Sequence, residues 1–256
     1  MKNIFLLLTF SSLASIVQVE LLFSENLAAN IEKTSEKRNV TKAKTAPFID
    51  GKSEDECWDT LEWSSLDQRW LGEEYDINDF SGRYKLTWDE EALYLLVQII
   101  DDQLVDQHPD PFKLWWDDDC VEIFIDSDNS GGDHLHNHNA FAYHVALDNN
   151  VVDLSTEKTP ILFNEHIITK HITQGITTIW EHKVFLFDEK TYNEGSTENT
   201  PLKLTPNKEV GFALAYCDND GSEERENFIG SVFVPGEDKN QGYKNADIFE
   251  TIILTE

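Results

Sequence analysis

Apolar residues in this chain recur at every second position in short runs, and acidic or glycine-containing turns stop each run after a few residues. Tyr84, Leu86 and Trp88 share one face; after Asp89-Glu90-Glu91, Leu93, Leu95, Val97 and Ile99 share one face of the next run. A period of two belongs to a strand, whose successive side chains point to opposite sides. Val121, Ile123 and Ile125 repeat it, as do Trp180, His182 and Val184, and Val210, Phe212, Leu214 and Tyr216. No long stretch carries the period of an amphipathic helix. The pattern predicts an all-β protein, an antiparallel β-sandwich of immunoglobulin- or jelly-roll-like form with two packed sheets. Trp58, Trp88 and Trp180, at strand-pattern positions, are expected in the core.

Three segments are expected. Residues 1–29 begin with Lys2, continue with the apolar run Ile4 to Val19 and end in Leu27-Ala28-Ala29, the order of a signal peptide with small residues at its cleavage site. Export to the periplasm or cell surface follows, with no membrane insertion of the mature chain. Residues 30–46 hold Lys33, Lys37, Arg38, Lys42 and Lys44 against Glu32 and Glu36 without apolar periodicity, and read as a solvated linker. Residues 47–256 form one domain. The net charge of -29 would repel a nucleic-acid backbone or an anionic membrane surface, leaving neutral ligands and cations as partners. Cys57, Cys120 and Cys217 are too few and scattered for a disulfide framework, and Cys120, inside a strand pattern, reads as a small buried hydrophobe.

Trp115 and Trp116 stand immediately before Asp117-Asp118-Asp119 and a strand beginning near Cys120. That order sets two indoles at the mouth of the sandwich. An indole face suits the C–H bonds of a sugar ring, and neighbouring carboxylates accept from its hydroxyls; the competing reading is packing. Asp126, Asp128 and Ser130, with Asp133 beyond Gly131, reproduce the first half of a calcium loop, but Asn137 stands at the twelfth position. A calcium site and a plain Asp/Asn turn both remain open. His134, His136 and His138 alternate and would share a face on a strand, as transition-metal ligands or as polar loop residues beside a sugar. Cys217-Asp218-Asn219-Asp220-Gly221 reads as a solvated acidic turn. No nucleophile elbow, phosphate loop or HExxH pattern is present.

Three blocks resemble the family nine carbohydrate-binding modules. Ile49-Asp50-Gly51 followed by Cys57-Trp58 is similar to their "IDGxxxExxW" opening, Tyr84 to Leu95 to their "vkxxwDexxLYv" hairpin, and Trp116 to Asp126 to "WxxDsvEiFiD". The resemblance implies a non-catalytic sandwich that binds mono-, oligo- or polysaccharide, with structural calcium and with glycoside hydrolases as partners. Trp116 matches a stacking ring with Trp115 beside it, Glu122 a hydroxyl-binding carboxylate, Asp119 the acid of the motif and His144 a basic hydrogen-bonding residue. Tyr243 falls where the family carries a second stacking Trp. The rivals are a glycoside hydrolase using Glu122 and a nearby aspartate on plant or algal polysaccharide, and a haem-binding relative. Met1 is the only methionine, so haem would need a His/His pair.

Overall fold

The computed structural model describes residues 37–256, and the expected signal peptide lies outside them. The architecture is a β-sandwich. Its smaller sheet has five strands in the order β10 (Ile167–Gln174), β11 (Thr177–Val184), β5 (Leu93–Asp101), β4 (Phe80–Trp88) and β2 (Ser64–Leu66). The larger sheet runs β1 (Arg38–Thr41), β14 (Glu250–Thr255), β12 (Glu209–Asp218), β6 (Cys120–Asp126), β7 (Phe141–Ala146), β8 (Val151–Leu154) and β9 (Pro160–Leu162). Its last two strands branch from β12: β13 (Asn227–Gly230) pairs with β12, and β3 (Gln68–Leu71) pairs with β13.

The predicted β4–β5 hairpin forms with Trp88 opposite Leu93. Its acidic turn is built by Asp89, whose Oδ1 accepts from the amides of Glu91 and Ala92 while Oδ2 accepts from the Tyr94 hydroxyl. The expected apolar faces of β4, β5, β6, β11 and β12 meet between the sheets, where Trp88 and Trp180 are fully buried. Each sheet is also covered outside. Trp58, on the single-turn helix α1 (Glu56–Asp59), packs with Tyr94 and Leu96 on the smaller sheet, and Trp70, Phe124, Phe228 and Phe249 cover the larger one.

The solvated linker is corrected in part. Arg38–Thr41 is strand β1, paired in parallel with Arg38 opposite Ile252, against an otherwise antiparallel architecture. Val40 is buried, the Trp88 indole donates to Val40 O at 3.0 Å, and the Arg38 guanidinium holds both oxygens of Glu250. One apolar residue in four gives no periodicity to read, and three of the basic residues that suggested solvation, Lys37, Arg38 and Lys42, pair with Glu209, Glu250 and Glu90. A chain starting at residue 43 should lose about 2–4 kcal/mol relative to one starting at residue 37, from the lost Val40 burial and the Arg38–Glu250 contact, the Trp88 N–H keeping Thr255 O as its acceptor. Urea unfolding checks this; equal stability would restore the linker.

Several histidines are core residues. Burial depresses His166 and His182 to about 3 and His134 to about 4. A histidine with a depressed folded pKa contributes stability present above its unfolded value, near 6.5, and lost as pH falls toward the folded value. Relative to a His166→Phe variant, the native protein should therefore lose stability as pH falls from about 7 to about 5. Parallel pH dependence in the two proteins would show that His166 does not stay neutral.

Candidate functional site

A pocket of about 360 Å³ opens over the outer face of the larger sheet, lined by Trp115, Trp116, Glu122, His144, Asp153, Leu154, Arg225, Asn240 and Tyr243. Strand alternation puts it there. Val121, Ile123 and Ile125 of β6 turn into the core between the sheets, so Cys120, Glu122 and Phe124 turn outward. The indoles thus stand over a sheet face, not at the mouth of the sandwich.

Glu122 is the polar centre of the floor. It lies opposite His144 on one side and Ala215 on the other. Its Oε1 accepts from His144 Nε2 at 2.8 Å, from Arg225 at 3.1 Å and from the Cys217 thiol at 3.1 Å. Burial alone would raise the Glu122 carboxyl, but His144, Arg225 and Cys217 together hold it below its ordinary range. The second nitrogen of His144, Nδ1, lies 3.2 Å from the Ala142 carbonyl. Asp153 is the counterpoint. Its oxygens accept from the amides of Ala142 and Leu154, and burial lifts its carboxyl to about 7.

The acid run beside the tryptophans turns into its own loops and away from the pocket. Asp117, Asp118 and Asp119 are buried and satisfied by loop backbone. Asp119 accepts from the amides of Val105 and Asn219, Asp118 from those of Gln107 and His108, and Asp117 from that of Arg225. These bonds fix the loop carrying Trp115 and Trp116, whose rings meet edge to face at 4.5 Å, and the loop carrying Arg225. Asp119 is thus a brace and not a hydroxyl acceptor.

The fourth wall depends on the supposed metal loop. His134 Nε2 donates to Gly242 O at 2.8 Å and its amide to Lys244 O, the two residues flanking Tyr243. Gly242 lies so close to the Phe124 ring that a Cβ would approach it to 2.8 Å. His138 Nε2 donates to Glu194, far along the chain. The segment is a turn, not a strand, so His134, His136 and His138 do not converge, and among the described residues they form no three-ligand group. The transition-metal reading is therefore corrected: His134 anchors the Tyr243 loop.

The expected calcium loop is similarly engaged. Asp126 Oδ2 accepts from the Gly131 amide, Ser130 Oγ donates to Asn139, and Asp133 is exposed. Asp126 Oδ1 is buried with no hydrogen-bond partner, yet Asp126, Asp128 and Asp133 form no three-ligand group among the described residues. Three buried carboxylates do: Asp101, Asp119 and Asp218 lie within 4.8 Å of one another, and Asp79, Asp102 and Asp220 make a second, more exposed group. Burial, with Asp101 nearby, lifts Asp119 to about 9 and Asp218 to about 8. The turn at Cys217–Gly221, expected to be solvated, thus buries Asp218.

The structure brings Trp115, Trp116, Glu122, His144 and Tyr243 to one pocket from four stretches of chain. Asp153, Leu154, Arg225 and Asn240 went unread. Arg225 was legible only as a lone cation among Glu223, Glu224 and Glu226, a pattern of solvated surface.

A β-sandwich with an aromatic-walled polar pocket on a sheet face defines a carbohydrate-binding class of module. Residues 49–256 match the family described as "Carbohydrate family 9 binding domain-like", and the chain belongs to that family. A family 9 module of Caldicellulosiruptor kristjanssonii, solved with cellotriose, has the same fold at a TM-score of 0.63 and 19% identity, covering 86% of this chain and 94% of that one. The glucose complex from the same organism gives 0.62 at 19% identity, over 85% and 96%. Endo-1,4-beta-xylanase A of Thermoanaerobacterium saccharolyticum is 31% identical over 103 residues, 40% of this chain but 8% of the enzyme.

Removing the Glu122 carboxylate would leave the Arg225 guanidinium and the His144 ring without their shared acceptor. Glu122→Ala should cost about 3–5 kcal/mol in urea unfolding, the scale for breaking a buried ion pair from one side. A loss below about 1 kcal/mol, the level of a surface pair, would mean that the two groups rearrange freely.

Proposed function

We propose that this protein binds the sugar rings of a neutral saccharide in the Trp115–Tyr243 pocket and performs no chemistry on them. The observation that carries this reading is the pairing of walls and floor. Trp115, Trp116 and Tyr243 supply ring faces for the C–H surface of a pyranose, Glu122, His144 and Arg225 supply hydrogen-bonding groups fixed by their mutual contacts, and Asn240 adds an amide at the rim. A preorganised polar floor loses little entropy when hydroxyls replace water. The sugar complexes of the Caldicellulosiruptor modules support cellotriose as a first probe.

A hydrolase would need one carboxylic acid and one carboxylate free to exchange protons across the scissile bond. Glu122 Oε1 accepts three donors, and both Asp153 oxygens accept backbone amides. Neither is poised for that work. The haem reading gains nothing, since both ring nitrogens of His144, the histidine among the pocket's lining residues, are already engaged by Glu122 and the Ala142 carbonyl. The apolar stretch after Lys2 supports export to the periplasm or cell surface, and the likeness to a segment of a xylanase supports action beside glycoside hydrolases.

Calcium fits the carboxylates of Asp101, Asp119 and Asp218 better than the Asp126 loop. The three are buried together, and among the described residues no side-chain cation hydrogen-bonds to any of them. Hard oxygen ligands in irregular loops suit calcium. A bound ion would brace the loop carrying Trp115 and Trp116 through Asp119.

Two measurements test these readings. Trp116→Ala should lose about 1–3 kcal/mol of cellotriose affinity in calorimetry with an unchanged melting curve. Unchanged affinity would remove Trp116 from the site, and release of chromophore from a nitrophenyl glycoside would replace binding by hydrolysis. Calcium should raise the melting temperature beyond sodium at equal ionic strength, and Asp218→Asn should abolish the difference; no calcium-specific shift would dismiss the ion.

A further inference from the structure

β6 and β12 lie side by side beneath the pocket, and their register sets Cys120 directly opposite Cys217. Both thiols are free and buried, and their sulfur atoms lie within 4.8 Å of one another. Opposed residues of an antiparallel pair have Cα atoms about 4.5 or 5.5 Å apart, and both spacings fall within the roughly 4.4–6.8 Å that a disulfide spans. Rotation of two side chains brings the sulfurs together, and neither strand has to move.

The pair is joined to the pocket by hydrogen bonds. The Cys217 thiol donates to Glu122 at 3.1 Å and accepts from Arg225 at 2.9 Å. Cys120 borders a separate small cavity with His108, Trp115 and Asp118. Cys120, Glu122 and Cys217 are also spaced as ligands for a thiophilic cation, but the Arg225 guanidinium on both Glu122 and Cys217 opposes a second positive charge there.

We propose that Cys120 and Cys217 are a redox pair that closes reversibly into a cross-strand disulfide and thereby weakens the sugar site; the second half rests on the sugar-binding reading. With hydrogen peroxide as oxidant, the Cys120 sulfur attacks one peroxide oxygen, the O–O bond breaks, and a sulfenic acid and one water form. The Cys217 sulfur then displaces the hydroxyl, which leaves with the Cys217 proton as a second water while the S–S bond forms. Two thiols give up two electrons and two protons, and the peroxide takes both. A dithiol reverses the change and becomes a disulfide itself. In the oxidised state Cys217 has no proton for Glu122, and its sulfur is drawn toward Cys120 and away from Arg225. The floor loses a donor to a buried carboxylate.

The test uses the full chain in a Cys57→Ser background, treated with hydrogen peroxide and then with dithiothreitol. Expected are a mass loss of two hydrogens, a peptide joining Cys120 to Cys217, and cellotriose binding weakened about tenfold or more, the scale of a hydrogen bond to a charged group, all reversed by the dithiol. Cys120→Ser should bind cellotriose like the reduced protein and ignore peroxide. Thiols that survive oxidation, a disulfide that leaves affinity unchanged, or peroxide sensitivity persisting in Cys120→Ser would each overturn the proposal. Zinc retained by the reduced protein through dialysis would also overturn it, as a metal site. If the reduced protein fails to bind cellotriose, the sugar-binding reading falls, while the mass measurement alone still decides whether the bond forms.

Discussion

Buried carboxylates that accept backbone amide hydrogens hold this structure in shape. A carboxylate taken from water loses far more than a hydroxyl does, so it persists inside a protein only where donors surround it. Asp119 ties residue 105 to residue 219, Asp118 closes the turn at 107–108, and Asp117 fixes the amide of Arg225. On the opposite sheet Glu181 gathers the amides of Asp50, Gly51 and Lys52 on one oxygen and the Trp58 indole on the other. The loops of a sandwich have no ladder to define them, and here aspartates and glutamates take that part. Some of the chain's negative charge is therefore internal structure.

This explains what was legible in the sequence. β4, β5, β6, β11 and β12 declared themselves, because one face had to be apolar against the core, whereas β10 and β14 alternate too weakly to read. Nor did β1 declare itself, since its contribution is one valine and a guanidinium whose partner lies more than two hundred residues away. The first two family blocks mark bracing as much as binding: Asp50-Gly51 and Trp58 converge on Glu181, and Asp89 builds a hairpin turn. The pocket residues read from the third block came with their positions but without their chemistry. Nothing local distinguishes an acid that faces a ligand from one that staples a loop; the amides that Asp119 meets come from distant segments.

The floor shows how neighbours divide the work of similar groups. Glu122 and Asp153 share a pocket, yet one is held ionised by His144 and Arg225 while burial lifts the other to about 7. Small residues make the space. Ala142 and Ala213 flank Phe124, and Ala215 lies beside Glu122, so the outer face is hollow where the rings gather above it. His134 is part of the same economy of space: a histidine that could pass for a metal ligand instead fixes the two residues that flank Tyr243.

The parallel pairing of β1 with β14 has a mechanical consequence. Residues 38–41 run in the same direction as residues 252–255, so the chain enters this pair at one end and leaves at the other. Tension applied at residue 37 and residue 256 would load the paired residues in shear and simultaneously, whereas an antiparallel pair held at one end would unzip bond by bond. Arg38 clamped on Glu250 and the Trp88 indole shared between Val40 and Thr255 sit at opposite ends of that junction. The pocket, over β6 and β7, lies outside that pair, so a load carried between the two ends would bypass it.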